Sequence, residues 1–252
     1  MNILAPLRDK LVLSAAGANF MTGLVGNVSI PTYDGSTVGW AGEVDAAADG
    51  AGTFGEVELS PKRLTAYVDI SKQFLIQDSV SAEALLRKDI VDAISNKLEA
   101  TILGAEAGST TKPAGLFNAV VADEADITYK DIVAMEQKLE EANVSGNITF
   151  IASPYAKATL KTTAIGGTKS DVRMLMDSGE VDGYPVLVTN GMAKKGLILG
   201  NFNELVIGQW GGIDLTVDPY TQAANGKIRL VVNAYFDAKP QRAASFVKKV
   251  LK

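Results

Sequence analysis

Cysteine and histidine are both missing from the 252 residues. Their absence excludes Cys or His nucleophiles, Ser-His-Asp triads, thiolate or imidazole zinc sites and disulfides. No apolar run approaches the ~20 residues that a membrane helix needs. The start, MNILAPLRDKLVLSAAGANF, offers only Leu11-Val12-Leu13 after its charges, too short for a signal h-region. Between Leu11 and Pro61 there is no Lys or Arg at all. Aromatic residues are sparse at 7%, and Trp40 and Trp210 stand isolated, best explained by packing or interface burial.

What is present is globular in balance. Apolar residues make up 47% and charged residues 21%. Lys plus Arg is 24 and Asp plus Glu is 29, a net charge of −5. That balance argues against a protein whose main work is gripping nucleic-acid phosphates. The charge is also uneven. Asp34, Glu43, Asp45, Asp49, Glu56 and Glu58 give residues 11–61 a charge of −6. Lys239, Arg242, Lys248, Lys249 and Lys252 give residues 239–252 a charge of +5 with no acid. Solvated faces explain most charge runs; complementary docking surfaces on neighbouring copies are the sharper reading.

The pattern along the chain predicts an α+β fold. Residues 1–30 show no sustained period and read as an extended arm with apolar residues that need something to lie against. Residues 31–63 read as a long, acidic, glycine-rich hairpin turning near Asp49-Gly50, a projection too poor in apolar surface to stand alone. A strand is expected over 64–77, with Leu64, Ala66, Val68, Ile70, Phe74 and Ile76 on one face. A helix is expected from Ala82 to Leu103, with Ser81 as N-cap and Leu86, Ile90, Ile94, Leu98 and Ile102 as its stripe, broadened by Ala93 and Leu103. At ~1.5 Å per residue it is about 33 Å long. Thr128 and Asp131 mark a further helix start, Ser153-Pro154 another. Strands are expected at 148–152, 184–189 (buried), 197–199, 204–207, 213–217, 227–237 and 243–250.

Two motifs invite a phosphate reading. Gly50-Ala51-Gly52-Thr53-Phe54-Gly55 has the G-x-G-x-x-G spacing, but acids precede it and a strand-like EVELSP follows, so no helix N-terminus meets a pyrophosphate. Gly166-Gly167-Thr168-Lys169-Ser170 lacks the glycine that a phosphate loop needs before its lysine. Glu140 with Glu141, and Asp123, Glu124 and Asp126, have no calcium-loop spacing. No catalytic constellation, cofactor site or metal site is expected.

The order of these features resembles the major capsid proteins of tailed bacteriophages, the family with the Hong Kong 97-type capsid fold. The resemblance rests on four stretches: Ile30-Pro31 through the acidic hairpin into LTAYVDISKQF (64–74); Leu75-Ile76-Gln77-Asp78-Ser79 leading into the long helix; Gly104 to Phe117; and ITFIASP (148–154) with DGYPV (182–186), followed by Ile228-Arg229 and Lys239-Pro240. It spans about residues 27–250. It implies an N-terminal arm (1–30), an E-loop hairpin (31–63), a peripheral domain with a spine helix (64–112), an axial domain (113–222) and returning peripheral strands (223–252). It implies further that the chain is no enzyme and that copies assemble as hexamers and pentamers into an icosahedral shell around double-stranded DNA. That shell is built in the host cytoplasm and carried in the virion. Scaffold, portal and cement proteins are the implied partners, with weak contact to DNA and none to membranes. The scaffolding segment that usually precedes the arm is not seen before Met1.

On this reading the intersubunit contacts involve Asp34, Trp40, Glu43, Asp45, Asp49, Glu56 and Glu58 on one side. Arg87, Lys88, Lys239, Arg242, Lys248 and Lys249 stand on the other. An encapsulin-type shell enclosing an enzyme is the alternative, disfavoured by the long hairpin; a nucleotide-binding enzyme would rest on Gly50–Gly55 alone. The best-known family member joins its subunits through a Lys–Asn isopeptide bond assisted by a Glu. Here residues 11–61 hold no Lys, Lys62 and Lys72 lie at or beyond the hairpin base, and no Glu follows Glu204. Asn225, Asn233 and Asp237 are the nearest remaining parts, so a non-covalent shell is expected.

Overall fold

The computed structural model of the chain describes residues 11–33, 35–44, 46–73, 79–118, 126–166 and 173–252. In chain order come α1 (Val12–Ala15), β1 (Asn19–Leu24), β2 (Val28–Tyr33), β3 (Phe54–Leu59), β4 (Lys62–Ser71) and α2 (Ser79–Ile102). Then follow α3 (Tyr129–Glu141), β5 (Ile148–Ala152), α4 (Pro154–Thr162), β6 (Glu180–Val181), β7 (Tyr184–Val188) and β8 (Gly196–Asn201). The last are β9 (Leu205–Asp218), β10 (Lys227–Pro240) and β11 (Phe246–Val250). The α+β class expected from the sequence is what these elements form.

The segments ITFIA and GLILGN have no polar face, so strands made from them must be covered on both sides. β5 and β8 are therefore interior strands of a five-stranded sheet ordered β11-β8-β5-β7-β6. Phe150, Ala152, Leu197 and Leu199 point into one core with Ile132, Met135 and Leu139 of α3 and Ala156 and Leu160 of α4. Ile151 and Ile198 point the other way. They join a second core with Val91, Ile94, Leu98 and Ile102 of α2, Ile207 of β9 and Val232 and Phe236 of β10. β9 and β10 belong to a four-stranded sheet ordered β1-β9-β10-β4. A separate pair, β2 with β3, forms the hairpin stem.

Local signals hold at several starts. Ser153 caps α4 by accepting from the Ala156 N–H, with Pro154 in the first turn. Asp131 reaches back to the Thr128 N–H at 2.8 Å, as its spacing predicts. Gly104 closes α2 so tightly that a Cβ there would lie 2.6 Å from the Ala100 carbonyl oxygen.

Other expectations are corrected. The described part of the arm lies against the body, as its apolar residues require, but it is not simply extended: α1 forms within it, Leu11, Leu13 and Ala16 are buried in the core shared by both sheets, and β1 pairs in parallel with β9. The strand of 64–77 ends at Ser71, because its partner β10 begins at Lys227 after a left-handed turn at Gly226. Phe74 and Ile76 lie outside the described residues. α2 starts at Ser79, so Ser81 is inside it rather than its cap. Ala93 is exposed; a 3.6-residue period turns Val91, Ser95 and Glu99 inward instead. β7 is half-buried, since only the two-residue β6 flanks it on the outer side. The strands expected at 204–207 and 213–217 are one strand, β9. Gly208 pairs regularly with Asp237, and the ladder with β10 absorbs Gly211 and Gly212 in an irregularity opposite Asn233 to Tyr235. Finally, residues 223–252 do not stay together: β10 joins the four-stranded sheet, but β11 pairs with β8 in the other.

Candidate assembly surfaces

The hairpin stem starts at Val28, earlier than Pro31, with Val28 opposite Leu59 and Tyr33 opposite Phe54. Its root is apolar. Leu59 is fully buried against Val206 and Trp210, flanked by Met21, Leu24, Val28 and Ile30. The Trp210 indole N–H donates to the Gly26 carbonyl at 2.5 Å, which gives this tryptophan the packing role expected of it.

Beyond the stem the two arms stay in register. The Thr37 N–H donates to the Gly50 carbonyl at 2.9 Å, and the Gly52 N–H donates to the Tyr33 hydroxyl at 3.0 Å. The chain therefore reverses between Thr37 and Gly50, not at Asp49-Gly50. A Cβ on Gly50 or Gly52 would lie 1.9 Å from the carbonyl oxygen of Thr37 or Gly35. Close backbone approach, not phosphate binding, accounts for these glycines, and β3 follows them where a dinucleotide site needs a helix.

The projecting part carries apolar side chains with nothing of their own to cover them. Val38, Trp40 and Val44 are fully exposed, and Phe54 nearly so. Glu43, Asp49, Glu56 and Glu58 are exposed beside them. Asp49 accepts from the Ala51 N–H at 3.0 Å and Glu56 from the Ser29 hydroxyl at 2.7 Å, contacts that order the loop and leave the charges in solvent. Asp34 and Asp45 lie outside the described residues.

The cationic candidates are less uniform than their run in sequence suggests. Lys249 is held by Asp131 at 2.5 Å, and Arg242 donates to the Ala142 carbonyl at 2.6 Å, at the C-terminal end of α3. Both are engaged within the chain. Lys88 is exposed on α2, and the Arg87 side chain lies outside the described residues. Lys239 and Lys248 are half-buried at a cleft of about 290 Å³ between the end of α2, the start of β9 and the end of β10. Burial pushes the Lys248 ammonium below its ordinary value.

Sequence reasoning missed three polar arrangements. Asp237, 1% exposed, pairs with Lys62 at 2.6 Å. Arg229 makes a bidentate pair with Asp69 at 2.7 and 2.8 Å and stacks 4.2 Å from the Tyr67 ring centre; the guanidinium holds the Asp69 carboxyl below its usual range. Glu99, 6% exposed within α2, accepts from the Val12 N–H at 2.8 Å and from the Thr189 hydroxyl. Only pairing across elements far apart in sequence makes these visible. Among the described residues no group of three or more Asp and Glu is placed to hold a metal ion.

This combination, two sheets sharing a helix-filled core and a hairpin projecting from one edge, is an α+β capsid fold. It matches a solved capsid of a native GTA particle with a TM-score of 0.75 at 16% identity, covering 94% of this chain and 88% of that one. The model of the phage capsid family matches residues 1–251, and the chain belongs to that family. The major capsid protein of Halomonas phage phiHAP-1 is 28% identical over 249 residues, covering 95% of this chain and 40% of that protein. That of Klebsiella oxytoca phage phiKO2 is 24% identical over 228 residues, covering 82% of this chain and 53% of that protein. The chain thus spans about half the length, or less, of these curated relatives. None of these matches favours the enzyme-enclosing alternative.

Proposed function

We propose that the chain is the shell-forming subunit of a phage head, assembling as hexamers and pentamers around double-stranded DNA. The exposed hairpin carries this reading. A segment with Val38, Trp40 and Val44 in solvent and a buried root is built to be covered by something outside its own chain. In Hong Kong 97 terms, β2, β3 and the loop between them would be the E-loop. α2 with the four-stranded sheet would be the peripheral domain, and the five-stranded sheet with α3 and α4 the axial domain. The acids Glu43, Asp49, Glu56 and Glu58 would face cations of a neighbouring copy, with Lys88, Lys239 and Lys248 the candidates that have no ion-pair partner among the described residues. Scaffold, portal and cement proteins are the expected partners, the virion the expected location and the host cytoplasm the site of assembly. A net charge of −5 suits a wall that holds packaged DNA weakly. Electron microscopy of the purified chain under assembly conditions tests the reading: closed shells with five- and six-fold capsomers are expected, and a chain that stays monomeric throughout overturns it.

A further inference from the structure

The cleft between the end of α2, the start of β9 and the end of β10 has an unusual composition. Ile102, Leu116, Leu205, Pro240 and Phe246 form apolar walls, and Lys239 and Lys248 are the charged residues among its described lining. Neither lysine has an ion-pair partner among the described residues. A half-buried ammonium beside apolar walls is costly unless something brings it a counter-charge. At about 290 Å³ the space sits at the small end of ligand-sized clefts, ~300 Å³ upward. It is wide enough for one aromatic side chain and too small for a folded segment.

The hairpin offers the complement. Trp40 is fully exposed and Glu43 follows it three residues on, also exposed. The chain's own Trp40, being in solvent, does not fill its own cleft. Large aromatics that insert into desolvated pockets are the side chains that dominate interfaces. We propose that Trp40 of one copy seats in this cleft on a neighbouring copy, with Glu43 against Lys239 and Lys248. This rests on the shell reading above and adds which pocket receives the hairpin. It also assigns distinct roles to the two tryptophans: Trp210 roots the hairpin in its own subunit, and Trp40 anchors it in the next.

Two measurements test it. Trp210 is 7% exposed, so collisional quenching of fluorescence by acrylamide in the unassembled chain reports Trp40. Assembly of the unmodified chain should remove that quenching, and Lys239→Glu with Lys248→Glu should restore it in any shells still formed or leave the chain unassembled. The chain has no cysteine, so Trp40→Cys with Ala243→Cys at the cleft rim adds the only thiols. Oxidised shells should then run as covalent multimers without reductant and collapse to one band with it. Shells that form normally, keep Trp40 quenchable and give no multimers overturn the seating and leave the shell reading intact. Failure of the unmodified chain to form shells at all overturns both. If the cysteine variant does not assemble, the quenching result on the unmodified chain decides.

Discussion

The ammonium of Lys62 lies 2.6 Å from Asp237 Oδ2, at the point where the hairpin returns to the body of the molecule. The same carboxylate accepts the Ser60 and Ala238 N–H groups, each at 3.0 Å. Asp237 is thus fully satisfied, and it fixes the residue before Pro61 to the sheet. Removing one member of a buried pair costs ~3–5 kcal/mol, because the other charge is left without compensation. Asp237→Ala should therefore destabilise the unassembled chain by about 3 kcal/mol in urea unfolding. Lys62→Met with Asp237→Asn, which keeps a side-chain acceptor for the backbone N–H groups, should recover much of that loss. Equal stability of Asp237→Ala and the unmodified chain would refute the assignment.

Glu99 plays a similar part at the other end of the arm. Its carboxylate takes the Val12 N–H, which opens α1, and the Thr189 hydroxyl just beyond β7. One side chain of α2 thereby ties together three segments distant in sequence. Glu99→Ala would leave a backbone donor unpaired at a cost of ~1–3 kcal/mol. The expected result is faster hydrogen exchange at the amides of α1 and β1, with β5 and β8 unchanged. Uniformly faster exchange would mean a general loss of stability rather than a local tie.

The features legible in the sequence are those decided locally. Ser153-Pro154 specifies a helix start through one hydroxyl and one ring, and ITFIA specifies a strand buried on both faces through its own composition. The hairpin is legible as two arms poor in cations, but its reversal is not, because Asp49-Gly50 has the composition of a turn and is the place where two backbones touch. Pairing across long separations left no local trace. β1 lies parallel to β9 some 190 residues later. Glu99 falls outside the i+4 stripe of Leu86, Ile90, Ile94, Leu98 and Ile102, and nothing local marks it as buried. The basic run 239–252 looked uniform, yet Arg242 and Lys249 are engaged internally and Lys239 and Lys248 line a cleft. That distinction depends on where α3 and α2 end in space.

Asp131 gives a pH signature. Burial works to raise its carboxyl, but hydrogen bonds from Lys249 and Thr128 outweigh that and hold it below the ordinary carboxylate value. A carboxylate lowered by folding stabilises above its unfolded value, and that stability fades as pH falls through the folded one. Asp131→Asn should cost about 1 kcal/mol near neutral pH, the modest value suited to a partly exposed charged bond. The gap should narrow below roughly pH 4. Thermal unfolding of both proteins across this range checks it, and a gap that stays constant with pH would assign the loss to packing.

The acids of the hairpin bear on assembly rather than on folding. Exposed pairs contribute only ~0–1 kcal/mol each, but a closed lattice repeats them in every subunit. Replacing Glu43, Asp45, Asp49, Glu56 and Glu58 by Asn or Gln should leave unfolding of the unassembled chain nearly unchanged while raising the concentration needed for assembly. Added salt should act in the same direction on the unmodified chain, because screening reaches ~10 Å at 0.1 M. Light scattering against protein concentration reads both effects. Assembly of the neutralised variant at the unmodified concentration would leave Trp40 and its apolar neighbours as the hairpin's sole means of attachment.

Covalent joining of subunits is the alternative to such contacts, and the geometry argues against it. An isopeptide bond requires a deprotonated lysine amine, a carboxamide within reach and a carboxylate base in an apolar site. Residues 11–61 hold no lysine, so the projecting part of the hairpin cannot supply the amine. Lys62, at its base, is committed to Asp237 as an ammonium within its own chain. Asn233 accepts from Arg63 Nε and Nη2 at 2.9 and 2.7 Å and from the Thr65 hydroxyl at 3.1 Å, and Asn225 donates to Gln222 at 2.7 Å. Lys62, Asn233, Asn225 and Asp237 are thus occupied in non-reactive roles, and Lys72 is exposed beyond the hairpin base. Shells boiled in detergent should therefore give one gel band near the 26.5 kDa of this chain. A ladder at five and six times that mass, or material too large to enter the gel, would show that a lysine outside the hairpin does the joining. Mass spectrometry of the linked peptides would then identify it.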